Sequence, residues 1–216
     1  MKLRIALLLV FCLILAALPA LADNIYDNGP INGTTDAWTI NFGYVVSDTF
    51  NVGGNGATLT GLSFGAWLFL GDTLGQAEVS LTSQENGGTV YFDQVVNFTQ
   101  SGCVENQMGY NICTETGTFN GHGPTLGAGT YWLNLQNAAF DDPVYWDENS
   151  GVGCTGSGCP SQASESVVGT IPGESFTILG NAGSTTTTGT VPEPGSILLF
   201  ASGILGLASF VRRRLF

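Results

Sequence analysis

The chain has 216 residues, seventeen of them acidic and five basic, for a formal net charge of −12. All five basic residues lie near the two ends (Lys2, Arg4, Arg212, Arg213 and Arg214), so the span from Asp23 to Val191 holds sixteen Asp and Glu and neither Lys nor Arg. Such a surface cannot release counterions from a phosphate backbone or clamp a phosphorylated substrate, which excludes nucleic acid as a partner and sets phosphoryl chemistry aside.

In chain order, Met1 to Arg4 form a basic start and Ile5 to Leu18 an apolar run. Pro19 ends that run, and Ala20-Leu21-Ala22 supplies the small-x-small pattern that signal peptidase cleaves. Residues 1–22 therefore read as a signal peptide, with Ala20 and Ala22 flanking the cleavage site. Cys12 follows Phe11 rather than a small residue, so it does not read as a lipidation site.

From residue 23 to 180, Gly, Thr, Ser and Asn punctuate short apolar or alternating runs, and no helical period emerges. Trp38, Ile40 and Phe42 alternate with polar or small neighbours. Tyr44 to Val52 reads as a second strand, and Leu62 to Leu70 as a strand buried on both faces. Further strands are expected around Ala77–Leu81, Thr89–Phe98, Tyr110–Phe119, Thr130–Gln136, Pro143–Trp146 and Ser175–Leu179. Eight or nine strands with turn signals between them predict an all-β fold, an antiparallel β-sandwich of jelly-roll type. About 155 residues of this composition can bury a core of their own. Residues 181–190, rich in Thr and Gly, read as a linker.

With the signal peptide removed, four cysteines are left: Cys103, Cys113, Cys154 and Cys159. An even number in an exported chain reads as disulfides. Local pairing, Cys103–Cys113 and Cys154–Cys159, is favoured among the three connectivities. Nine residues separate the first pair and four the second, which misses the paired tight knuckles of a four-cysteine zinc site.

The segment 191–216 opens with Val191-Pro192-Glu193-Pro194, continues as an apolar stretch expected to form a transmembrane helix over 196–211, and ends in Arg212, Arg213 and Arg214. Arginines at that end hold it in the cytoplasm, while the signal peptide sends the rest outward. Pro192-Glu193-Pro194, the glycine-interrupted helix and the arginine cluster together resemble the PEP-CTERM sorting signal of Gram-negative bacteria. The resemblance implies recognition by an exosortase, removal of the tail, and delivery from an inner-membrane-anchored precursor to the cell surface or beyond. In that family such signals accompany exopolysaccharide and biofilm-matrix production. Tyr131 to Asn137, followed by Asp141 to Asp147, also resembles an ectodomain type found among these proteins, for which no activity is established.

Catalytic chemistry is poorly supplied, and the chain reads as a non-enzyme. His122 is the only histidine and no Gly-x-Ser-x-Gly elbow accompanies it. Gly151 to Gly156 spells Gly-x-Gly-x-x-Gly but follows a loop and precedes no helical pattern, so no dinucleotide site is expected. No cofactor is required. Asp141, Asp142, Asp147 and Glu148, with Asn149 beside them, offer hard oxygen ligands suited to calcium; the alternative is solvated loop acids. Trp132 has the opposite parity to Leu133 and Leu135 and is expected on the outer face. With Trp146 it is the candidate for stacking on sugars. The functional expectation is a structural or adhesive protein of an exopolysaccharide matrix. The alternatives are a calcium-dependent carbohydrate-binding module and a polysaccharide-active hydrolase using paired carboxylates.

Overall fold

The computed structural model describes residues 22–121, 123–149 and 162–183. Thirteen strands occur among them: β1 (Asp23–Asp27), β2 (Ala37–Thr39), β3 (Val45–Val52), β4 (Ala57–Leu68), β5 (Gln76–Gln84), β6 (Gly87–Glu105), β7 (Asn111–Thr118), β8 (Thr125–Leu126), β9 (Gly129–Gln136), β10 (Tyr145–Asp147), β11 (Ala163–Glu165), β12 (Gly169–Ile171) and β13 (Phe176–Ala182). Every pairing is antiparallel, and no α-helix occurs among the described residues. The signal peptide, Cys154, Cys159, His122 and the C-terminal helix with its sorting motif lie outside the described residues. So does most of the expected linker, although β13 takes in Asn181 and Ala182.

The sandwich expected from the sequence is a single curled sheet, a half-barrel. Its strands run β1-β13-β4-β7-β6-β5-β9-β3-β11-β12, with β10 and β8 on β4 and β2 on β10. The curl is made by β6, which is 19 residues long. Up to Asn97 it pairs with β5, and from Phe98 it pairs with β7. One strand thus belongs to both halves, and register shifts at Leu81/Thr82 and Ser101/Val104 bend it, as extra residues in a ladder do.

Alternation places the core between the halves. From one side come Leu62, Phe64, Phe176 and Ile178; from the other Val46, Phe50, Leu81, Leu133 and Leu135, all at most 2% exposed. Each such side chain contributes about 1.5–3 kcal/mol on burial. Phe64 meets Phe98 and Trp146 edge to face at 5.3 and 6.0 Å, and Tyr26 on β1 reaches Phe50 on β3 at 6.3 Å, bridging the two halves. Among the described residues the buried core falls between Tyr26 and Ile178, and the chain divides into separate units after Gly183, so the described core lies within one unit.

Cys103 and Cys113 are bonded, joining β6 to β7 across their hairpin. Cys103 falls between the strands expected over Thr89–Phe98 and Tyr110–Phe119, yet it lies within β6 because the strand continues past Phe98 to pair with β7. From the length of the closed loop, reducing this bond or replacing Cys103 by serine is expected to cost roughly 2–3 kcal/mol. Urea midpoints with and without reductant measure it, and coincident curves would contradict it.

Candidate functional site

The acid at the end of β10, Asp147, is fully buried and works as a clamp. Its Oδ1 accepts from the Trp67 indole at 2.6 Å and the Gly33 amide at 2.9 Å. Its Oδ2 accepts from the Asn32 amide at 2.9 Å and the Ser175 hydroxyl at 3.1 Å. One carboxylate therefore pins the 31–34 loop to the outer face of the sheet. Burial pushes its carboxyl above the usual range, and the four hydrogen bonds pull it back down. The close approach demands glycine. A Cβ on Gly65 would stand 2.8 Å from the Asp147 Cβ, and one on Gly33, whose φ is +63°, would stand 2.6 Å from Ile112.

The other acids read as calcium ligands are not gathered with it. Asp141 and Asp142 sit on an exposed turn, where Asp142 lies near Asp72; burial first, and then that neighbouring charge, raise the Asp72 carboxyl. Glu148 follows Asp147 but faces inward with Trp146. Burial raises its carboxyl, with Asp36 and Asp147 adding to the effect against a side-chain interaction from Trp38. Among the described residues, no group of three or more His, Cys, Asp or Glu is placed to hold a metal.

Four buried acids escape a sequence reading: Glu165 is 3% exposed, and the other three are wholly enclosed. Asp48, Glu115 and Glu174 are each 0% exposed. Asp48 shares its inward parity with Val46 and Phe50, and Glu115 shares its own with Cys113, so alternation held the signal for both. Glu174 sits in Pro172-Gly173-Glu174-Ser175, where no period exists to reveal it. Neither oxygen of Glu115 or Glu174 receives a hydrogen bond. Burial pushes the Glu115 carboxyl up to about 7 and the Glu174 carboxyl well above its usual range.

Of the two tryptophans proposed for sugar stacking, Trp146 is corrected. It is 0% exposed, packed edge to face on Phe64 and Phe176, with its indole donating to the Ser175 carbonyl at 2.9 Å. A three-residue strand carries too little alternation to show that it points inward. Trp132 does lie on the outer face, opposite Thr49 and Thr82, and is half-buried. Its neighbour Asn134 is buried and engaged by Ser47, Ser80, Thr82 and the Asn86 amide.

A different aromatic surface emerges on the opposite half. Tyr145, Trp67, Ile112 and Val104 are cross-strand neighbours on β10, β4, β7 and β6, so they line one outer face. Over them Tyr110 contacts Trp67 at 5.7 Å, Phe69 at 5.3 Å and Tyr145 at 5.8 Å. Beside this cluster runs a groove of about 440 Å³ lined by Asn32, Thr34, Val104, Asn106, Gln107 and Ile112. Asn106 ties the parts together: its Nδ2 donates to the Gly33 carbonyl at 3.0 Å and its Oδ1 accepts from the Tyr110 amide at 3.0 Å. The Asp147 clamp, Asn106 and the disulfide thus hold one face carrying rings and amides.

Residues 190–214 match the PEP-CTERM protein-sorting motif. They include Pro192, Glu193, Pro194 and Arg212 to Arg214. No curated protein and no solved structure matches the chain. The motif marks an exported protein processed by an exosortase from a membrane-anchored precursor.

Proposed function

We propose that the β domain is a non-catalytic, structural or adhesive component of an exopolysaccharide matrix, delivered by the sorting tail to the cell surface or released beyond it. The observation that carries this reading is the outer face built around Tyr110. The rings of Tyr110, Tyr145 and Phe69, none of them fully buried, suit the apolar faces of sugars, and the exposed Gln107 amide at the groove supplies a donor and an acceptor for hydroxyls. The lack of Lys and Arg between Asp23 and Val191 leaves nothing there to bind an anionic polymer by charge, so the reading favours a neutral polysaccharide. Replacing Tyr110 and Tyr145 together by alanine is expected to weaken retention on the producer's own polysaccharide at least about tenfold, since each stacked ring contributes on the order of 1 kcal/mol. Affinity electrophoresis of residues 23–190 measures this. Equal retention of the wild type and the double variant would end the adhesive reading at this face.

A calcium-dependent carbohydrate-binding module is the second reading, favoured by the buried carboxylates beside β10.

A further inference from the structure

Glu148 and Glu174 stand directly opposite each other in an isolated antiparallel bridge. The hydrogen bonds lie on either side of the pair, Ser175 N to the Asp147 carbonyl at 2.7 Å and Asn149 N to the Gly173 carbonyl at 2.9 Å. This is the non-hydrogen-bonded type of antiparallel pair, in which side chains lie closest, with Cα atoms about 4.5 Å apart. Both side chains face inward, Glu148 in step with Trp146 and Glu174 in step with Phe176. From the other half of the sheet Asp48 faces them, its Oδ2 accepting from the Glu174 amide at 2.7 Å and from Asn28 Nδ2 at 3.0 Å.

Like charges placed opposite one another repel, and burial amplifies the repulsion. Proteins ordinarily relieve such a set with Lys or Arg, but the chain has neither between Asp23 and Val191. No donor reaches either oxygen of Glu174, which is wholly buried. One proton neutralises a single carboxylate. A divalent cation neutralises two at once and takes up the unused lone pairs. We propose that Glu148 and Glu174 form an internal site for one hard divalent cation of the calcium type, with Asp48 adding its charge to the field.

Two carboxylates match the charge of the ion, while Asp48, whose Oδ2 is already bonded twice, acts at a distance. The dry position of Glu174 favours calcium over magnesium, which gives up its water reluctantly. The site shares Glu148 with the calcium set read from the sequence but uses none of Asp141, Asp142 or Asp147. It does not depend on polysaccharide binding, which is scored separately.

Residues 23–190 would be stripped with chelator and melted alone, with about 10 mM calcium, and with the same concentration of magnesium, above the range of affinities expected for extracellular sites. Calcium is expected to raise the melting temperature by roughly 5–10 °C. Magnesium should do less. The shift should vanish in Glu174→Gln and in Glu148→Gln, and persist in the Asp141→Asn/Asp142→Asn double variant. Glu148 lies at the margin of the cluster, so Glu148→Gln keeps the test decisive if Glu174→Gln does not fold. A wild type indifferent to calcium overturns the proposal and leaves a proton on Glu174. A shift that survives in the folded glutamine variants overturns it by placing the ion elsewhere.

Discussion

Replacing Asp147 by alanine is expected to lower the stability of the domain by roughly 3–5 kcal/mol, or on the order of 10 °C in melting temperature. Four donors lose their acceptor in one step: the Trp67 indole, the Asn32 and Gly33 amides and the Ser175 hydroxyl. Each buried donor left unsatisfied costs about 1–3 kcal/mol before water or relaxation offsets part of it. Asp147→Asn keeps an acceptor for two of the four and opposes an NH2 to the others, so it should fall between the wild type and alanine. Asp141→Asn, on an exposed turn, should stay within about 0.5 kcal/mol of the wild type. Urea denaturation at neutral pH separates these outcomes. Equal losses at positions 141 and 147 would remove the clamp from the account of the site. The loss should also reach the aromatic face, because Gly33, held by Asp147, is the residue to which Asn106 is tied.

The second large effect is on pH dependence. The Glu115 carboxyl is raised to about 7 by burial, with no donor on either oxygen. In the unfolded chain it ionises in the ordinary Glu range near 4.3, whereas in the folded domain it holds its proton until about pH 7. The unfolded state therefore loses its proton first, and stability falls as pH rises from about 4.3 to about 7, then levels off. The shift corresponds to roughly 3–4 kcal/mol. Glu115→Gln should abolish this part of the slope, so that its advantage over the wild type appears at pH 8 and disappears at pH 4. Parallel stability curves for the two proteins across that window would sink the assignment. Glu165 acts in the opposite sense. Hydrogen bonds from the Ser166 side chain and from the backbone of Val168, Val167 and Ser166 outweigh its burial and lower its carboxyl, so its contribution is lost as pH falls.

Much of the fold is legible as alternation. Thr130 to Gln136 and Tyr44 to Val52 place Leu133, Leu135, Val46 and Phe50 in the core because successive residues of a strand face opposite ways. The same rule puts Trp132 on the outer face, as found. Short elements are less readable. β10 has three residues, too few to display a parity, so Trp146 looked available at the surface and its acidic neighbours looked like one cluster. In fact Asp147 turns outward to hold the 31–34 loop, and Glu148 turns inward toward Glu174.

Local chemistry, which needs no partner, was sufficient for the sorting motif, the strand parity and the pairing of Cys103 with Cys113. The proline-bracketed glutamate, the apolar stretch and the arginines are contiguous, and the two cysteines lie ten residues apart on one hairpin. The aromatic face and the acid cluster are different in kind. Tyr145 meets Trp67, and Glu148 meets Glu174, across separations that no local pattern encodes. Those meetings depend on which strands pair and in what register. Register is a property of the whole curled sheet, set by packing its two halves onto one core.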